Sequence, residues 1–166
     1  MVEIKNSQCY YTQIPHLADA WDESVMMRDG ENYKKVLTGF SFIIEGQDSP
    51  ISVSVHRGFL TNGSSIPAII RSKVFEWLGV EHPAIVLHDW LTEYLLVEHD
   101  YFGRPISAHD ARAIFMKALE NSCLTKKQLL TIEIAMRFSS MFSNPNRPQI
   151  KPFKRYIEDR YYGTCN

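Results

Sequence analysis

The rhythm of hydrophobic and polar residues changes at residue 36. Before it, residues 7–35 read as irregular, with polar clusters such as DAWDES and RDGENY. From 36, VLTGFSFIIEG is rich in β-branched and aromatic residues, and QDSP follows as a turn signal. ISVSVHRGFL then alternates Ile51, Val53 and Val55 against Ser52, Ser54 and His56. A period of two predicts a hairpin with one face buried, and it leaves His56 on the polar face with the serines.

After TNGSSIP the period lengthens. Asn62-Gly63 favours a positive-φ turn, and Ser64 or Ser65 before Pro67 resembles a helix N-terminus. PAIIRSKVFEWLG predicts a helix ending at Gly79. His82-Pro83 opens a second helix containing VLHDWLTEYLL. Ser107 begins SAHD, a capping pattern ahead of ARAIFMKALEN, and Thr125 begins TKKQ ahead of a helix running to about Met141. SNPNRPQIKPFKRYIEDRYYG carries three prolines among basic and aromatic residues, which predicts an extended arm with a short helix near its end. Strands first and four helices after give an α+β class: an N-terminal antiparallel hairpin or small sheet packed on three to four helices. We place one domain at 1–145 and the arm at 146–166.

The second helix is apolar over more than half its circumference, yet it holds His88, Asp89, Thr92 and Glu93. At 100° per residue these four cover a wedge of about 140°, with Ile85 and Leu96 closing it one turn below and one turn above. Such a wedge is either a solvent face or a patch near the core. In the second case its ionisable groups must be paired, shifted in pKa or bound to metal.

Composition adds limits. At 166 residues, 45% hydrophobic and 22% charged, the chain has the values of an ordinary globular domain. The net charge of −1 hides an asymmetry: residues 1–123 hold 10 Lys+Arg against 16 Asp+Glu, and residues 124–166 hold 8 against 3. A basic tail docked on an acidic body accounts for this, as does a tail that meets an anionic partner. Cys9, Cys123 and Cys165 form no CxxC pair and are odd in number, which suits free thiols in a reducing compartment. No apolar run reaches the roughly 18 residues of a membrane span, and MVEIKNSQCYYTQIPHL has no signal-peptide core. These features predict a cytoplasmic protein.

Further polar groups can reach the wedge from loops. Asn62, Ser64 and Ser65 lie on the turn after a strand, and Asp110 lies at a helix start. Each has a plain role available: Ser65 as a helix cap, and Asp110 as the third-position carboxylate of the Ser107 capping box. Their convergence with His88 and Asp89 is what would make a site.

GFLTNGSSIP, HDWL and HDARAIFMKAL, in that order, resemble the domain of unknown function 1353 family, common in phages and prophages. In the family pattern a strand ends in Gly-Phe-x-Thr-Asp, before a small residue, Ser-x-Pro and an aromatic-rich helix. A His-Asp-x-Leu helix and an Ala-Asp pair with a following Phe come next. Gly58, Phe59 and Thr61, with Ser65 and Pro67, match the first part. His88, Asp89 and Leu91 match the second, and Asp110, Phe115 and Met116 the third. The likeness covers roughly residues 36–141. Asn62 stands where the family has Asp, and His109 precedes Asp110 where Ala or Glu is expected. The first departure keeps an oxygen but removes a charge, and so weakens any metal or base role there.

Two functions compete. In a metal-assisted hydrolase, His88, Asp89 and Asp110 would hold a divalent ion (Zn, Mn or Fe(II)), with Asn62 or Glu93 adding an oxygen and the ion activating water. A metal-free version would use Ser65 as nucleophile, His88 as base and Asp89 or Asp110 as orienter, although no GxSxG elbow is present. In a non-catalytic virion, assembly or accessory protein, the same residues form a buried polar network fixing how helices and hairpin meet. The resemblance then implies the cytoplasm of an infected or lysogenic host, or the particle, with the arm contacting a phage subunit or other protein. Lys151, Lys154, Arg155 and Arg160 among Phe153, Tyr156, Tyr161 and Tyr162 could also meet nucleic acid, but the acidic body argues against it.

Overall fold

The structure is a computed structural model that describes residues 8–19, 33–45, 51–63, 65–79, 81–96 and 108–142. Six strands precede four helices, so the fold is α+β. The strands are β1 (Cys9–Tyr11), β2 (Leu17–Asp19), β3 (Lys34–Val36), β4 (Phe40–Ile44), β5 (Ile51–Val55) and β6 (Leu60–Thr61). The helices are α1 (Ala68–Leu78), α2 (Pro83–Leu96), α3 (Ala108–Glu120) and α4 (Lys126–Phe142).

Two antiparallel three-stranded sheets result, in the orders β1-β4-β5 and β2-β3-β6. The expected hairpin is β4–β5, with Phe40 opposite Val55 and Ile44 opposite Ile51. Its alternation holds: Phe40, Phe42, Ile44, Val53 and Val55 are buried, while the Ser41 and Ser54 hydroxyls bond across the other face at 2.8 Å. The run VLTGFSFII is divided between the sheets. Val36 ends β3, whose amide donates to Phe59 O at 2.8 Å, and the chain turns at Gly39 before β4. A Cβ on Gly39 would sit 2.9 Å from Val55 O, so only glycine lets the two strands close at this corner.

The stretch expected to be irregular holds β1, β2 and β3. Strands of three residues are too short to display a period, and their partners lie far along the chain. β1 pairs with β4, and β3 pairs with β6. β1 is also tied to α3: the Tyr11 hydroxyl donates to Ala118 O at 3.4 Å, and Asn121 Nδ2 donates to Cys9 O at 2.7 Å.

The core lies between the sheets and the helices. In α2 every residue from Ala84 to Leu91 is buried, so this helix is central, and the His88 and Asp89 part of its polar wedge faces the interior while Thr92 is half-buried. Trp90 meets Phe59 edge-on at 4.9 Å, a large apolar ring of the kind that contributes about 1.5–3 kcal/mol when buried. α3 adds Ile114, Phe115, Ala118 and Leu119; α4 adds Ile132 and Met136. His56 is exposed, as its place among the serines suggested.

The Thr125 capping box forms as expected. Gln128 N donates to Thr125 Oγ1 at 3.3 Å, and Thr125 N donates to Gln128 Oε1 at 2.8 Å. Thr125→Ala is expected to cost about 1 kcal/mol in a urea melt, the usual loss for a cap removed; no change would mean that α4 starts without it. The Ser107 cap and the arm at 146–166 lie outside the described residues. No helix among the described residues is long and apolar enough to cross a membrane.

Candidate functional site

β6 ends in Thr61, and the chain then folds over the middle of α2. Gly63 permits this turn with φ 68°, and its bare Cα lies under Phe75 of α1: a Cβ would come within 2.4 Å of that ring. The turn thereby aims its amides at one side chain on α2, the carboxylate of Asp89.

Asp89 collects five donors. Its Oδ2 accepts from Thr61 Oγ1 at 2.6 Å, Gly63 N at 2.7 Å and Asn62 N at 3.2 Å. Its Oδ1 accepts from Ser65 N at 3.4 Å and from the Ser65 hydroxyl. A carboxylate has about four lone-pair positions, so these bonds fill it. The residue is 6% exposed, and charge-assisted bonds are the strong kind.

The Ser65 hydroxyl also lies 2.6 Å from His88 Nδ1. Donor counting assigns the protons. A carboxylate can only accept, so Ser65 gives its single proton to Asp89, and Nδ1 must then carry the hydrogen that Ser65 accepts. The chain of bonds runs His88 Nδ1–H to Ser65 Oγ–H to Asp89 Oδ1. His88 is 5% exposed, and its ring lies 4.3 Å from that of Phe115 on α3. Burial lowers its pKa to about 4, against the charge of Asp89, which pulls it upward. At neutral pH the imidazole is therefore uncharged, and its Nε2 carries a lone pair.

This order differs from that of a nucleophile triad. There the histidine lies between serine and carboxylate, takes the serine proton and is oriented by the acid. Here the serine lies between, and its proton is directed away from the imidazole.

Of the residues singled out from sequence, Ser65, His88 and Asp89 converge. Asn62 joins through its backbone amide. Ser65 does not cap α1: that helix has Pro67 at its N-cap and no side-chain cap bond, because the Ser65 hydroxyl is taken by Asp89 and His88. Thr92 bonds the His88 carbonyl at 2.8 Å, not the ring. Asp110 is buried in the first turn of α3, the helix that brings Phe115 to His88. Ser64 and the Glu93 side chain lie outside the described residues. Among the described residues no three His, Cys, Asp or Glu side chains group closely enough to hold a metal ion, so His88, Asp89 and Asp110 are not assembled as a ligand set.

Thr61 and the turn amides are the functional groups that side-chain reasoning missed. A threonine directly before Asn-Gly was the one available signal, and it also belongs to the pattern of the resemblance. One more histidine acts through its ring: His82 Nδ1 accepts from Ala84 N at 3.2 Å at the start of α2, and burial lowers its pKa.

Residues 36–132, more than half of the chain, match the model of a family described as a protein of unknown function (DUF1353). All the converging residues fall inside that span. No curated protein and no solved structure matches the chain.

Proposed function

The chain belongs to the DUF1353 family, and from that premise we propose that it is a non-catalytic phage-type protein, a virion, assembly or accessory component. Asp89, Ser65 and His88 serve it as a fold-locking network. The observation that carries this reading is the bond order His88–Ser65–Asp89, with five donors on one carboxylate. It uses up the groups that a serine nucleophile or a metal ligand at Asp89 would need. The only Ser65 proton is committed to Asp89, and both Asp89 oxygens are occupied by the turn. The phage setting is carried by the resemblance of the three motifs. A partner protein or subunit is the matching kind of target.

A second reading rests on a different observation. The Nδ1–H of His88 is used by Ser65, which leaves the Nε2 lone pair for a proton or a metal ion, as in sites where one ring nitrogen is oriented by an outer hydrogen bond. In this hydrolase reading His88 is the acting group, and Ser65 with Asp89 position it. The wider set of His88, Asp89, Asp110 and Asn62 fits a divalent ion poorly, because the Asp89 oxygens are already filled.

Two probes on the full chain separate the readings. A fluorophosphonate should leave Ser65 unlabelled, and Zn or Mn salts should not raise the melting temperature in a His88-dependent way. Labelling of Ser65, or a metal-induced rise abolished by His88→Gln, would overturn the non-catalytic reading.

A further inference from the structure

The donors around Asp89 all come from one short stretch of chain. They are the Thr61 and Ser65 hydroxyls and the amides of Asn62, Gly63 and Ser65. Donors converging on two oxygens in this way make an anion cradle, of the kind that successive backbone amides form around phosphate or carboxylate. Its occupant is delivered by a different element, since Asp89 lies on α2.

The cradle is held in shape by contacts that leave Asp89 out. At its start β6 is fixed in the sheet, with Leu60 opposite Lys35 and Thr61 opposite Lys34. In its middle Gly63 lies under Phe75 of α1, and the Gly63 carbonyl accepts from Ile66 N at 3.1 Å. At its end Ile66 is buried, and its own carbonyl accepts from Arg71 Nε at 3.1 Å. A loop pinned at both ends and in the middle keeps its donors in place without its ligand, which is what preorganisation means for a binding site.

We propose that Thr61, Asn62, Gly63 and Ser65 form a preorganised carboxylate-binding site, which Asp89 fills as a tethered ligand and which takes a small free carboxylate once that side chain is removed. The inference rests on the fold-locking reading of Asp89 and adds to it the chemistry of the lock's other half. The ligand class follows from the donors. Thr61, Asn62 and Gly63 address one oxygen and Ser65 addresses the other, which is the demand of a planar monoanion with two oxygens on one carbon. Phosphate would bring two further oxygens and a second charge into a place where Asp89 is 6% exposed, and none of these donors is left to meet them.

The test uses Asp89→Gly in the full chain. Glycine vacates the cradle and leaves room for the carbon of formate, which the Cβ of alanine would crowd. The variant and the parent are melted in rising sodium formate, each against sodium chloride at the same concentration. Formate should stabilise the variant as binding to a single site does, by about tenfold in the folded-to-unfolded ratio at about ten times its dissociation constant. It should leave the parent where chloride leaves it, because Asp89 already fills the site. If the variant is unfolded in buffer, formate should restore its folded circular dichroism and chloride should not. In the formate-bound variant the amide resonances of Gly63 and Ser65 should shift with the same midpoint as the stabilisation. A variant that responds to formate no more than to chloride, folded or unfolded at the start, overturns the proposal. So does an equal formate response in the parent. The lock fails on a separate measurement, the melting of Asp89 variants without formate, so the two failures are told apart.

Discussion

Asp89→Asn is expected to destabilise the protein by about 2–4 kcal/mol, and Asp89→Ala by more. The reason lies in what the carboxylate satisfies: the Thr61 hydroxyl, the amides of Asn62, Gly63 and Ser65, and the Ser65 hydroxyl. Each buried donor left without an acceptor costs about 1–3 kcal/mol. Asparagine retains one oxygen, and its amide can rotate to put that oxygen where Asp89 has Oδ2, which keeps Thr61, Asn62 and Gly63 satisfied. The NH2 then faces the Ser65 amide, donor against donor, and the Ser65 proton loses its acceptor. Alanine removes every acceptor and leaves a polar hollow besides. For a domain of this size each kcal/mol lowers the melting temperature by about 2–4 °C, so the asparagine variant should melt roughly 5–15 °C lower. An alanine variant that melts like the parent would sink the network as a lock, whatever else Asp89 does.

The same residues define how far the sequence could be read. The alternation over Ile51–Val55 gave the hairpin because a period of two survives in five residues with one face buried. Thr125 and Gln128 gave a helix start because both halves of the capping box are side chains. β1 and β3 were not legible, since each has three residues and takes its register from a distant strand. Ser65 shows the other kind of failure. Its place before Pro67 suits a cap, and nothing local announces that His88 and Asp89, more than twenty residues on, compete for the same hydroxyl. His88 and Asp89 were found because they are polar on an apolar helix. Their partners are mostly backbone amides, which every residue has and no sequence distinguishes.

Between pH 6.5 and about 4 the folded state should lose on the order of 3 kcal/mol through His88 alone. Burial holds its folded pKa at about 4, below the ordinary histidine value of 6.5. In that window the unfolded chain binds a proton that the folded chain refuses, so stability rises with pH. The contribution is fully present above pH 6.5, falls as the pH drops, and levels off below about 4, where both states are protonated. His82 acts in the same direction, because its Nδ1 accepts the Ala84 amide and a proton there would end that bond. Urea melts across the window should therefore show a slope that His88→Gln reduces. Nitrogen chemical shifts of the ring give the more direct measurement: a neutral imidazole with its hydrogen on Nδ1 at pH 7, persisting below pH 5. A ring that instead titrates near 6.5, or carries its hydrogen on Nε2, would break the assigned proton order. In that case Ser65 would donate to His88, Asp89 would lose one of its donors, and the nucleophile reading of Ser65 would regain its footing.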